Sequence, residues 1–241
     1  MMRSILRAGA LLALGASTVL AAPAAPAPRD VTNVTAADVE ASNQKVAAAF
    51  SDLVAMWGDA FGRIGERFAR PDLVRYRSAV RTPCGVMRPG NAGYCIGDNT
   101  IYYDDVFVAG QAKAAARQLG TDGDMAAVGV IAHEMGHAVA MQLGHMWRDS
   151  YHNEAVADCL AGAFAKEADR KGELEAGDVD EAFYGMASAG DPTPQLTGDN
   201  RVDRAILVRA ARMGHGTEEQ RVGNFRAGLE KGAGVCLAEF R

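Results

Sequence analysis

The sequence has no internal repeat, no long low-complexity tract and no run of like charge, so nothing in it marks a solenoid or a solvated tail. It has no excess of basic residues: 25 Lys and Arg stand against 30 Asp and Glu, a net charge of −5, which argues against a nucleic-acid-binding surface. Beyond the first two dozen residues no apolar run approaches membrane-spanning length. The four cysteines include no Cys-x-x-Cys pair, so a thiolate zinc site is not expected. Histidine is also scarce, five in 241 residues, which makes the placing of two of them informative.

What is present begins with an export signal. Arg3 and Arg7 form a positive start, Ala8 to Leu20 an apolar centre, and Val19-Leu20-Ala21 a small-residue cleavage site; Pro23 disfavours a cut after Ala22. No cysteine lies near the cut, so lipoprotein processing is not expected. We read residues 1–21 as signal peptide, 22–42 as a linker or short leader, and 43–241 as one well-cored domain in a secreted or periplasmic protein. The apolar centre is short and Ala/Gly-rich for a membrane span, and retention as an anchor is the alternative. An even cysteine count in an oxidising compartment points to two disulfides. Of the three possible connectivities we expect Cys84–Cys95, closing a Gly/Pro/Asn-rich loop, and Cys159–Cys236, pinning the C-terminal segment.

The chain centres on His133-Glu134-Met135-Gly136-His137, set in the apolar, helix-forming run Val128 to Val139. Histidines four apart share one helical face and can hold one metal ion, while Glu134, about 100° round the helix, can overlook that ion as a base. The bland alternative, two satisfied core histidines, would bury three polar groups at a cost of roughly 1–3 kcal/mol for each left unpaired. Asn153 to Ala161 supplies what a metal needs next. Glu154 and Asp158 lie four apart on an otherwise apolar helix, so Glu154 is expected to be the third ligand and Asp158 to accept the ring N–H of His133. A metzincin would carry Gly at 140 and His at 143; Ala140 and Leu143 exclude that class and leave a gluzincin-like layout.

Around these motifs the pattern predicts a helix over residues 34–70, stopped by Pro71, and strands at Leu73 to Val80 and Thr100 to Asp104. The second strand is a candidate edge for pairing with an extended peptide. A short helix is expected from Ala112 to Leu119, with Thr121 or Asp122 capping the metal helix. Gly136 inside that helix is tolerable if something packs closely against it. Leu143 to Asn153 reads as a polar crossover, and further helices are expected at Asp178 to Ala189, Arg201 to Met213 and Thr217 to Lys231.

These motifs occur in a telling order: Trp57 in an early helix; Gly93-Tyr94-Cys95-Ile96-Gly97-Asp98 running into Ile101-Tyr102-Tyr103-Asp104; then His133 to His137. Glu154-Ala155-Val156-Ala157-Asp158-Cys159-Leu160-Ala161-Gly162 and His215-Gly216-Thr217-Glu218-Glu219-Gln220-Arg221 complete it. In this the chain resembles the bacterial family of neutral zinc metallopeptidases, over nearly all its length from Trp57 to Cys236. The stretch between His137 and Glu154 is shorter than in many relatives, and Cys236 precedes Leu-Ala-Glu-Phe rather than the usual acidic ending.

The resemblance implies a zincin-like α+β fold, mainly helical, with a small sheet beside the metal-binding helices. It also implies hydrolysis of peptide bonds in a peptide or protein substrate. The expected mechanism has one Zn²⁺ on His133, His137 and Glu154 activating water, Glu134 as general base, and His215 as oxyanion donor, with Tyr103 and Tyr151 as rivals. A structural zinc site is the competing reading; Cys159 or His152 would then close the fourth position. A zinc amidase acting on cell-wall peptides would use the same residues.

Overall fold

A computed structural model describes residues 33–239 of the chain. The expected signal peptide, residues 1–21, and residues 22–32 of the expected linker lie outside the described residues. From Ala36 onward that linker belongs to the first helix, α1 (Ala36–Arg63), which opens on a capping box between Thr35 and Asp38. Val39, Val46, Phe50, Leu53, Trp57 and Phe61 recur at three-, four- and seven-residue steps and make its buried stripe. The helix ends well before Pro71. Gly65 adopts φ +76°, and Glu66 N–H returns to Phe61 C=O at 2.9 Å, so a left-handed glycine closes the last turn.

Three strands form the main sheet, β1 (Asp72–Tyr76), β5 (Thr100–Asp104) and β4 (Ala92–Cys95) in that spatial order, while β2 (Val80–Thr82) and β3 (Gly85–Met87) make a separate hairpin. The single strand expected over 73–80 is therefore split between β1 and β2. β5 runs parallel to β1 and antiparallel to β4. It is thus the central strand, and the expected edge role at Thr100–Asp104 is corrected: both of its sides are taken. The Cys84–Cys95 disulfide ties the β2–β3 turn to the end of β4.

The helix after β5 starts earlier than expected. The Asp104 carboxylate accepts the N–H groups of Val106 and Phe107, so α2 runs Asp105–Leu119 with no intervening loop. Next come α3 (Asp124–Gln142), α4 (Ser150–Lys171), α5 (Asp178–Ser188), α6 (Asn200–Met213), α7 (Glu218–Lys231) and α8 (Ala233–Glu239). The result is a mainly helical α+β fold with its sheet against α3, as expected.

α3 is the core element. Apolar on nearly every side, it buries Met125 to Gly129, Ile131 to Gly136 and Ala138 to Ala140 against α1, α2, α4, α5 and the sheet. Its cap differs from expectation. Gly123 is the N-cap residue and offers no side chain; the carboxylate of Glu181, fully buried on α5, accepts the N–H of Gly123 and of Met125, both at 2.9 Å. Thr121 and Asp122 leave that task to another helix.

α4 and α7 cross almost in backbone contact. A Cβ at Gly162 would lie 1.9 Å from Phe225 C=O, and one at Gly228 would lie 1.8 Å from Cys159 C=O. Only hydrogen fits at either point. The Cys159–Cys236 disulfide then fastens α8 to α4.

Candidate metal centre

α3 and α4 meet at a second glycine contact. A Cβ on Gly136 would stand 2.7 Å from Ala157 C=O and 2.9 Å from its Cα, so the close packing anticipated at Gly136 is the metal helix resting on α4. This approach sets Glu154 and Asp158, one turn apart on α4, opposite His133 and His137, one turn apart on α3.

The donor atoms converge. His133 Nε2 lies 3.1 Å from His137 Nε2 and 3.1 Å from Glu154 Oε2, and His137 Nε2 lies 3.5 Å from Glu154 Oε1. All three residues offer one ligand atom within 4.8 Å of the others. On the far side of the ring, His133 Nδ1 is 2.8 Å from Asp158 Oδ1. A carboxylate can only accept there, so Nδ1 keeps its proton, and it is Nε2 that faces the cluster and presents a lone pair once its own proton is displaced. Two ring nitrogens and a carboxylate facing one point cannot all be satisfied by a single shared proton; a divalent cation satisfies them together. The donor set thus fits a zinc-type site of two imidazoles and one carboxylate.

The electrostatics of these side chains follow from their crowding. Burial alone would pull the His133 imidazole down, but the Asp158 and Glu154 carboxylates outweigh it and hold it up to about 10. Burial would raise Glu154; the two imidazoles reverse that and hold it below the usual carboxylate range. Asp158 is likewise desolvated, and Arg221 and His133 bring it down.

Arg221 is the functional residue that motif reading quoted without giving it a task. From α7, with only 5% of its surface exposed, it places Nη2 2.6 Å from Asp158 Oδ1 and Nε 3.1 Å from Oδ2, and donates Nη1–H to Ala189 C=O at 3.2 Å. Its Nη2 is also 3.2 Å from His133 Nδ1, because both donors sit on one oxygen of Asp158. The guanidinium therefore keeps Asp158 ionised, and Asp158 keeps His133 in its tautomer. The signal in the sequence was its spacing: Arg221 stands four residues before Phe225 and seven before Gly228, on the buried side of α7.

The other expected residues fall at graded distances. Glu134, 7% exposed, accepts the backbone N–H of Tyr94 on β4 at Oε2, 2.8 Å away, and shares a cavity of about 600 Å³ with His133, His137, Glu154, Asp191, His215 and Arg221. His215 stands at the rim and outside the three-donor cluster. Its N–H donates to Asp191 Oδ2 at 2.5 Å, and its Nδ1 lies 3.7 Å from Asp191 Oδ1. Tyr103 is removed as a rival donor, because its hydroxyl is buried and donates to Asn43 on α1. Tyr151 packs beside Gly216, where a Cβ would meet its ring at 3.1 Å. Neither residue that the competing structural reading would use as a fourth ligand joins the cluster. Cys159 is consumed in its disulfide, and His152 Nδ1 lies 2.5 Å from Asp149 Oδ1 at the start of α4.

A His-Glu-x-x-His helix, a carboxylate from the next helix and a cavity over both define the class: a candidate metallohydrolase centre. Comparison with known proteins gives the family. Residues 5–148 and 146–238 match the family described as "Putative neutral zinc metallopeptidase", and the chain belongs to it. It is 33% identical over 214 residues to Uncharacterized protein YpfJ of Escherichia coli K12, covering 79% of this chain and 70% of that one. It is 27% identical over 190 residues to Uncharacterized protein Mb2605 of Mycobacterium bovis and to Uncharacterized protein Rv2575 of Mycobacterium tuberculosis H37Rv, covering 68% of this chain and 60% of each. No solved structure matches.

Proposed function

We propose that this protein is an exported, zinc-dependent peptidase. The observation that supports it most is the convergence of His133, His137 and Glu154 on one point of a cavity that Glu134 also lines. Zinc held by those three side chains supplies Lewis acidity, which makes water nucleophilic near neutral pH and polarises a scissile carbonyl. Glu134 accepts the proton of the attacking water and returns it to the leaving amine. The Tyr94 N–H fixes Oε2 of that carboxylate and leaves Oε1 for the transfer. His215, backed by Asp191 at the rim, donates to the oxyanion. Strand pairing with an extended peptide passes from β5 to β4, whose Ala92 and Tyr94 border the cavity and which has one strand neighbour. Export rests on the N-terminal signal pattern and on two disulfides.

The test is Glu134→Gln. It should retain stoichiometric zinc while peptide cleavage falls by roughly 10²–10⁴-fold. Undiminished cleavage would remove Glu134 from the mechanism, and a wild-type protein that binds zinc but cleaves neither polypeptides nor cell-wall peptides would remove the peptidase reading.

A further inference from the structure

The cavity over the candidate metal centre does not end at the metal-binding turn. It continues along α3 past Val130 and Ala126, one and two helical turns before Glu134. There it runs between Phe107 and Gln111 of α2 and Gly185 and Met186 of α5. A Cβ on Gly185 would stand 3.4 Å from Ala126 Cα, so α5 lies close on α3 at this recess.

One wall of the recess is out of character. Gln111 keeps only 5% of its surface exposed, among Phe107, Ala126, Val130 and Met186, and its side chain makes no hydrogen bond with any described residue. Its amide atoms are not sealed inside the protein, as Ser42 Oγ and Trp57 Nε1 are; the surface they keep opens on the cavity. A desolvated amide without a partner destabilises a fold, and Leu or Met would fill the same volume without that cost. The unmet donor and acceptor call for a ligand that pairs with both.

The chemistry of the recess narrows that ligand. None of its six residues is ionised, so a charged tip would be buried without a counter-ion. A wholly apolar tip would leave the Gln111 amide unpaired, and a Ser or Thr hydroxyl is too short to reach it along apolar walls. A carboxamide carries one NH₂ donor and one C=O acceptor side by side, and so meets both halves of Gln111 at once. We infer that Gln111 is a specificity-determining residue whose recess takes the carboxamide side chain of a glutamine in the substrate, a reading that rests on the peptidase function proposed above. The two methylenes of that glutamine fill the space bounded by Phe107, Val130 and Met186, and its amide pairs with Gln111.

The experiment is calorimetric binding of capped pentapeptides, four alanines around a central Gln, Leu, Tyr or Glu, to the zinc-loaded full chain carrying Glu134→Gln. The same titrations are run with Gln111→Leu added. Expected is binding of the Gln peptide about tenfold or more tighter than the other three. Gln111→Leu should abolish that preference and favour the Leu peptide, and should raise the melting temperature of the peptide-free protein, because a desolvated amide has gone. Equal binding of the four peptides, binding of none, preference for Leu, Tyr or Glu, or a Gln preference that survives Gln111→Leu overturns the inference. So does a lowered melting temperature in Gln111→Leu, which marks a structural amide. Wild-type turnover of the same peptides separates the two readings. Gln-selective binding with no peptide cleaved would leave the recess assigned and remove the peptidase function; cleavage of all four at one rate would do the reverse.

Discussion

The Glu181 carboxylate of α5 accepts the first free N–H groups of α3, those of Gly123 and Met125, across 58 and 56 residues of sequence. The metal helix thus has its start fixed by a different helix, and its two histidines inherit that placement. Glu181→Ala should cost about 2–4 kcal/mol, because two hydrogen bonds to a buried charge are lost and two donors are stranded. Glu181→Gln, which keeps one acceptor oxygen, should cost less. Chemical denaturation orders the three proteins, and a cost in Glu181→Ala no larger than that of a surface change would refute the capping role.

Arg221→Met should cost about 3–5 kcal/mol, since it leaves the buried Asp158 without its cation. Asp158→Asn added to it should restore part of that loss. Arg221→Lys keeps a charge but not the fork across both oxygens, and zinc affinity measured against a chelator should fall by about 10–100-fold. Unchanged affinity in Arg221→Lys would mean that Asp158 orients His133 unaided.

Glycine substitutions separate contact from propensity. Gly162→Ala and Gly228→Ala should each cost about 3 kcal/mol or more, because the new methyl would meet a carbonyl oxygen of the opposing helix and a backbone cannot yield as a side chain can. Gly223→Ala, in the same α7 but with nothing within 4 Å of its Cβ position, should stabilise by about 0.5–1 kcal/mol. Thermal melts of the three variants, read side by side, decide it.

The pH dependence of the metal-free protein follows from His133. Its folded-state pKa, about 10, lies above the ordinary 6.5, so its stabilising contribution is complete below about 6.5 and is lost as pH rises through 10. Glu154 and Asp158, held low, contribute above the ordinary carboxylate range and lose that contribution on acidification. In chelator the melting temperature should therefore fall both above pH 6.5 and in acid. Zinc replaces the His133 proton, so the zinc-induced rise in melting temperature should grow between pH 6.5 and 8. A zinc-induced rise that shrinks over that interval would contradict it.

The centre was legible from sequence because its geometry is local. His133 and His137, and Glu154 and Asp158, are pairs one helical turn apart, and spacing alone puts each pair on one face. The connections between helices were not legible for the opposite reason. Glu181 in the first turn of α5 looks like an ordinary dipole-matching acid, and Arg221 like a solvated charge, until α3 and α4 are packed beside them. Boundaries failed where a small local device outranked a familiar one. Gly65 ended α1 before Pro71 could, and Asp104 began α2 before the expected Ala112. The place of β5 in the middle of its sheet depended on long-range pairing with β1, which no short-range pattern encodes.

Cys159 follows Asp158 directly, and its partner Cys236 lies 77 residues onward, beyond the whole of α7. That bond spans the packing of α7 across α4, the same packing that holds Arg221 against Asp158. In the chain-entropy account, a loop of this size is worth about 4.5 kcal/mol. The covalent latch thus restrains the very contact behind His133: reducing it loosens α8 from α4 and removes a tether on the α4–α7 packing that carries Arg221 to Asp158.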